Sequence, residues 1–121
     1  MKGLFKLEID LFYAALYGLF IADTEHVECL KKYKVNVNFG EVGGKYNYVC
    51  GPIEDDDITL VTTAEDVIKM VQDNNLEFGF NPLEEAYGGG LDSLPETDEF
   101  DWEDCSVSYV VEYILTGKIP E

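Results

Sequence analysis

Alternation of apolar and charged residues near the start of the chain limits the folds that it can adopt. In residues 4–11, "LFKLEIDL", every second residue is apolar and charged residues stand between them. The apolar positions are Phe5, Leu7, Ile9 and Leu11, and the charged ones are Lys6, Glu8 and Asp10. A period of two is typical of a strand with one buried face and one wet face. The sequence therefore predicts a half-buried sheet that other elements must cover.

Further strand patterns follow along the chain. Residues 35–39 alternate valine and phenylalanine with asparagine, and "KYNYVC" alternates again after the glycine pair at 43–44, which together predict a β-hairpin. "ITLVT" at 58–62 predicts another strand, after a turn in "GPIEDDD". The apolar run "LFYAALYGLFIA", residues 11–22, fits either a strand or a short helix in its first half, and its end, "LFIA", fits a buried strand. It is shorter than the ~18–20 residues that span a bilayer, and we expect no membrane association.

Three segments carry helix signals. Residues 24–33 begin with Thr24 as a candidate N-cap and place acids first and lysines last, as the helix dipole favours. Residues 63–74 begin with "TAED", which resembles a capping box, and continue with apolar residues at helical spacing. The third helix, in 105–117, runs from Ser106 to Gly117. Its apolar stripe comprises Val107, Val110, Val111, Ile114 and Leu115.

These elements predict an α+β fold with a mainly antiparallel β-sheet and two or three helices packed on one face. The length fits one domain, residues 1–121. Periodicity is lost between Asn74 and Asp104, and we interpret 84–104 as an acidic irregular segment before the C-terminal helix. The ordered core is expected in residues 3–74 and 105–117, with 84–104 more mobile.

The charge excludes several functions. The chain has 25 acidic residues against eight lysines, no arginine and one histidine, for a formal net charge of −17. Binding to DNA or RNA needs basic patches to neutralise phosphates, so we expect no direct nucleic-acid contact. Without arginine, anionic metabolites are also poor substrate candidates. A field of this sign attracts basic proteins, which makes them the expected partners.

The cysteines indicate a reducing, cytoplasmic location. Cys29, Cys50 and Cys105 are odd in number and widely spaced, unlike a disulfide framework or a zinc knuckle. We interpret them as small buried hydrophobic residues.

No motif predicts an enzyme, a metal site or a cofactor. His26 is the only histidine, and no serine or cysteine stands in a nucleophile motif. The glycine pair before Lys45 lacks the hydroxyl residue and the helix of a phosphate-binding loop. The carboxylates of 92–104 lack the spacing of a calcium loop.

The acidic residues around two aromatic ones are the candidate partner-binding site. They comprise Glu96, Asp98, Glu99, Phe100, Asp101, Trp102, Glu103 and Asp104, with Asp55, Asp56 and Asp57 as a second group. Three interpretations stay open: a solvated face, an adaptation to high salt, or carboxylates that replace phosphates in a basic groove while aromatics fill pockets. A general acidic adaptor or subunit is the alternative to an inhibitor.

In size and charge the chain is similar to small acidic inhibitors, some of them nucleic-acid mimics, that phages and other mobile elements deploy against nucleases and host-defence complexes. The likeness is one of property and not of sequence pattern, so it assigns no residue roles. It implies an anti-defence protein that blocks a basic protein surface.

Overall fold

A long hairpin, flanked by shorter strands and three helices, organises the fold. The structure is a computed structural model that describes residues 1–11, 14–39, 50–89, 102 and 105–118. Its elements in chain order are β1 (Lys2–Leu11), β2 (Ala14–Asp23), α1 (Thr24–Lys32), β3 (Asn36–Asn38), β4 (Cys50–Pro52), β5 (Ile58–Thr62), α2 (Glu65–Asp73), β6 (Phe78–Gly79) and α3 (Val107–Thr116). This arrangement confirms the α+β fold.

The main sheet has four strands in the order β5-β1-β2-β6, and all neighbours are antiparallel. β1 and β2 pair along their whole length, from Lys2 with Asp23 to Leu11 with Ala14. The ambiguous run after residue 11 is therefore a strand from Ala14 onward. β3 and β4 form a separate antiparallel two-stranded sheet. Apart from Cys50, the predicted second hairpin strand lies outside the described residues and stays a prediction. Gly51 and Pro52, which the sequence placed in a turn, pair with β3 instead.

The two faces of the main sheet carry separate hydrophobic clusters. Phe5 and Leu7 of β1 and Phe20 of β2 belong to the larger cluster, which also contains buried residues of α1 and α3. The opposite face carries Leu4, and Ile68 and Val71 of α2 pack against it. Two helices thus share one face, as predicted, and the third covers part of the other.

Helix starts differ slightly from the sequence expectations. Asp23 rather than Thr24 precedes the first turn of α1. α2 begins at Glu65 with Ala64 at its N-cap, and the hydroxyl of Thr62 accepts a hydrogen bond from the Ala64 amide, so the predicted capping box is absent. α3 begins after Ser106 and ends before Gly117, whose φ of +73° gives the left-handed conformation predicted for that position.

The beginning of the acidic irregular segment is hydrogen-bonded to the core. The amide of Asn38 donates to the carbonyl of Ala86, and the amide of Val107 donates to the carbonyl of Glu85. Tyr87 between these bonds is buried. Residues 83–88 therefore join the small sheet to the start of α3 through turns and isolated bridges, so this first part of the irregular segment is bonded to the core. Residues 90–101, 103 and 104 lie outside the described residues, and their expected mobility stays a prediction.

Two glycines allow β2 and β6 to approach closely. Gly18 faces Gly79 in the strand pairing. A Cβ atom on Gly18 would collide with the backbone oxygen of Phe80, and one on Gly79 would collide with that of Tyr17. Gly79 also has a φ of +73°, a backbone conformation that residues other than glycine rarely adopt. The pairing of β6 therefore depends on glycine at both positions.

Gly79→Ala should destabilise the fold by more than the same change at Gly117. Both residues have a φ of +73°, so the backbone strain of about 1 kcal/mol is common to both. At Gly117 an added Cβ meets nothing within 4 Å, whereas at Gly79 it meets backbone. Chemical denaturation should show a free energy of unfolding lowered at least twice as much by Gly79→Ala. Equal losses would contradict the close approach.

Candidate partner-binding surface

Four of the sequence-predicted partner-binding residues lie within the described part of the chain. Asp55, Asp56 and Asp57 occupy the turn between β4 and β5, and Trp102 lies before α3. The others, namely Glu96, Asp98, Glu99, Phe100, Asp101, Glu103 and Asp104, lie outside the described residues and stay predictions.

The turn at residues 54–57 is fixed by hydrogen bonds at both ends. The Asp57 amide donates to the carbonyl of Glu54 at 3.1 Å, and the Glu54 amide donates to Oδ2 of Asp57 at 2.9 Å. The amide of Glu8 in β1 donates to the carbonyl of Asp57 at 2.9 Å. Such side-chain bonds to nearby amides are typical of aspartate in turns. The turn is therefore held against the sheet, with Asp57 in a structural role.

Asp55 and Asp56 project from this fixed turn. Both side chains are exposed, and no salt bridge within the described residues involves either one. The nearby carboxylates of Glu8 and Glu54 meet Lys6 at 3.0 Å and Lys34 at 4.0 Å, but these exposed ion pairs contribute at most about 1 kcal/mol. The tip of the turn therefore presents negative charge to solvent on an ordered backbone.

Trp102 is a core residue in this structure. Its side chain is only 9% exposed, and its ring meets that of Tyr113 on α3 edge to face, with centroids 5.3 Å apart. The thiol of Cys105 donates to the Trp102 carbonyl at 3.0 Å. The ring therefore packs within the protein. The interpretation of Trp102 as an interface anchor stays a prediction.

A groove at the other edge of the sheet also carries acidic side chains. It has a volume of about 410 Å³, and its lining includes Asp23, Glu77 and Glu84 together with Lys2 and His26. Glu77 supports the strand edge, because its Oε1 accepts a hydrogen bond from the Ile21 amide at 2.8 Å. These residues come from distant parts of the chain, which is why sequence patterns did not reveal the groove. Three carboxylates, one amine and one imidazole thus share its lining.

The described cysteines are buried thiols. Cys29 and Cys105 are both buried and unbridged. Burial raises the pKa of the Cys29 thiol, and the positive charge of Lys32 opposes this effect only in part. A raised pKa keeps the thiol protonated and poorly nucleophilic at neutral pH. For these two residues the structure confirms the role of small hydrophobic side chains.

The carboxyl group of Glu85 is partly buried. Burial raises the pKa of this group, and the neighbouring charge of Glu84 raises it further. The residue lies where the backbone joins α3, since its carbonyl accepts from the Val107 amide at 2.8 Å. Its position therefore serves the fold, at the cost of keeping a carboxylate partly away from water.

The described residues contain neither a metal-binding cluster nor a membrane-spanning helix. Across the described ranges, no group of three or more histidine, cysteine, aspartate or glutamate side chains is placed to hold a metal ion. None of the three described helices is both long and apolar enough to cross a bilayer.

Comparison of the chain with protein-family models, with curated proteins and with solved structures found no match.

Trp102→Ala should destabilise the protein by about 3–5 kcal/mol, because it leaves a cavity beside Tyr113. Leu115→Ala on α3 is the control, since Leu115 is 45% exposed and its truncation should cost much less. Unfolding followed by far-ultraviolet circular dichroism gives both values. A Trp102→Ala variant as stable as the parent would show that the ring is not a core residue.

Glu85→Gln should stabilise the protein at neutral pH. Because the pKa of Glu85 is raised in the folded state, ionisation opposes folding, and this loss is fully present above the folded pKa. Below the ordinary value of 4.5 the carboxyl is protonated in both states and the loss disappears. Thermal unfolding should therefore give the variant a higher Tm than the parent at pH 7, with the difference shrinking toward pH 4. A lower Tm at pH 7 would contradict this assignment.

Proposed function

We propose that the protein is an acidic inhibitor that occupies the basic nucleic-acid-binding surface of a nuclease or host-defence complex. The net charge of −17 supports attraction to such a surface, and the absence of arginine disfavours direct contact with nucleic acid. The function is exerted by binding and not by catalysis.

The observation that carries the proposal is the ordered turn at residues 54–57. Asp55 and Asp56 are exposed on a backbone held by three hydrogen bonds, two of them within the turn and one from Glu8 of the sheet. A basic groove that binds nucleic acid is built for closely spaced phosphates at fixed positions. Carboxylates on adjacent residues of a fixed turn meet the same need, and they lose little conformational entropy on binding.

The acidic segment 96–104 extends the proposed surface. Its carboxylates are those of Glu96, Asp98, Glu99, Asp101, Glu103 and Asp104, with Phe100 among them. Trp102, which lies within this segment in sequence, packs against Tyr113 of α3. In the proposal the tryptophan anchors the segment to the core, and the flanking acids supply charge for the encounter with the partner. Charge of this kind mainly raises the association rate.

Neutralising Asp55 and Asp56 tests the role of the turn. Asp57 is kept, because its side chain closes the turn. The double variant Asp55→Asn/Asp56→Asn should associate several-fold more slowly with a basic partner, and with a weaker salt dependence. The partner is first captured from a cell lysate at low salt, purified, and used in surface-based kinetic measurements.

The matched control is Glu28→Gln/Glu112→Gln, which removes the same charge from exposed positions on α1 and α3. If both double variants slow association equally, only the net charge matters and the turn is not the docking site. If the captured partner keeps its nucleic-acid binding and its activity when saturated with the chain, the protein is an adaptor and not an inhibitor.

A further inference from the structure

One face of the main sheet is covered only in part by the described helices. α2 packs over the end of the sheet that contains Leu4, Leu19 and Ile21. Toward the hairpin tip, no described helix packs on the same face. We call this region the open sheet face. Its exposed residues are Lys6, Glu8, Asp10, Ala15, Tyr17 and Phe78, and the partly buried Leu19 lies at its margin beside α2.

The strand register places these residues in three rows across the sheet, of which the one nearest the hairpin tip pairs Asp10 with Ala15. Glu8 lies opposite Tyr17, and on its other side its amide bonds to Asp57. Lys6 lies opposite Leu19, which in turn lies opposite Phe78. Residues directly opposite each other share a face, and neighbouring strands are about 4.8 Å apart. The acidic turn and Tyr17 are therefore separated by roughly 10 Å along one row.

Two aromatic rings on this face are exposed to solvent. Tyr17 is 58% exposed and Phe78 is 61% exposed, the largest exposed fractions of any described aromatic residue. The left-handed backbone at Gly79 separates Phe78 from Phe80, whose ring instead packs on Phe39 in the core with centroids 5.6 Å apart. Exposed aromatic residues grouped on a strand face are typical of a binding surface.

The charges around the rings identify the chemistry of the occupant. Glu8 and Asp57 lie on one side of Tyr17, and Glu77 and Glu84 line the space beside Phe78. The basic residue on the face, Lys6, is paired with Glu8 at 3.0 Å. An aromatic centre with an acidic rim is complementary to a cationic surface. A second copy of this chain would bring two molecules of charge −17 together, which disfavours self-association through this face.

Arginine fits such a surface better than lysine. Its planar guanidinium group stacks on aromatic rings, and its fork of donors binds a carboxylate through two hydrogen bonds. Lysine is a compact, strongly hydrated charge that does neither as well. Grooves that bind nucleic acid use both arginine and lysine. A preference of this protein for arginine over lysine would therefore indicate a site that recognises guanidinium groups, whereas general attraction of positive charge would give no preference.

We propose that the open sheet face is a docking surface for arginine side chains of the basic partner, with Tyr17 and Phe78 as the stacking rings. This inference rests on the proposed function and adds the location and chemistry of the contact. The rings Tyr17 and Phe78 then serve as the aromatic anchors that the sequence had suggested at Trp102.

Nona-arginine and nona-lysine peptides are suitable probes, because they have equal charge and differ in the group that carries it. Fluorescence anisotropy at moderate salt should give nona-arginine the tighter binding, by roughly tenfold for two ring contacts. The variant Tyr17→Leu/Phe78→Leu keeps apolar side chains at these exposed sites and removes both rings. It should bind nona-arginine about as weakly as the parent binds nona-lysine, with nona-lysine binding unchanged.

The control variant Tyr33→Leu/Tyr109→Leu removes two rings of comparable exposure that lie outside the open sheet face. It should retain the arginine preference of the parent. Equal affinity of the parent for both peptides, or equal loss in both variants, would overturn the stacking proposal while leaving the electrostatic one standing. If neither peptide binds at low salt, the proposed function itself fails. Dimerisation of the parent that Tyr17→Leu/Phe78→Leu abolishes would assign the face to self-association instead.

Discussion

The pairing of β1 with β2 positions the residues of both hydrophobic clusters, one on each face of the main sheet. The hairpin places Phe5, Leu7 and Phe20 against the cluster that contains α1 and α3, and it places Leu4 against α2. Burial of each large side chain contributes about 1.5–3 kcal/mol. This contribution has to offset the mutual repulsion that comes with a net charge of −17. The described residues include no buried polar or charged side chain, so the acids are kept where water screens them.

The same hairpin also determines where the acidic groups and the exposed rings lie. Glu8 holds the turn at residues 54–57 through its backbone amide, and Tyr17 lies directly opposite Glu8. On the other edge, the close contact of Gly18 with Gly79 brings Phe78 beside Leu19. Charge and aromatic surface are therefore positioned by one strand register. Binding in this account uses charge for the encounter and the rings for the stability of the complex.

The sequence predicted the parts of the fold whose signals are local. Alternation identified β1, helical spacing identified α2, and Ser106 with Gly117 marked the ends of α3. The sequence did not identify the first half of β2 as a strand. A half-exposed strand is recognised by polar residues at every second position, and β2 lacks this alternation because it carries apolar residues on both faces. Residues 83–88 were also missed, since their bonds to Asn38 and Val107 are made by the backbone and leave no side-chain pattern.

The candidate site was predictable only in part, for a related reason. Exposure of Asp55 and Asp56 follows from their position in a charged turn. Acidic neighbours also made Trp102 look exposed, but its environment is set by Tyr113, eleven positions away in the chain. In the sequence, Tyr17 lies in an apolar run and Phe78 lies in a segment without periodicity. Only the pairing of β2 with β6 shows that the two residues share the open sheet face.

The most direct test of the central claim is a competition between this protein and nucleic acid for the same basic partner. A captured partner is held at a fixed concentration with labelled duplex DNA or its own RNA, and the unlabelled protein is titrated in while anisotropy of the label is recorded. The account predicts that the protein displaces the nucleic acid and that its apparent affinity falls in proportion as more nucleic acid is added. A ternary complex in which partner, protein and nucleic acid are bound together at saturation would contradict it.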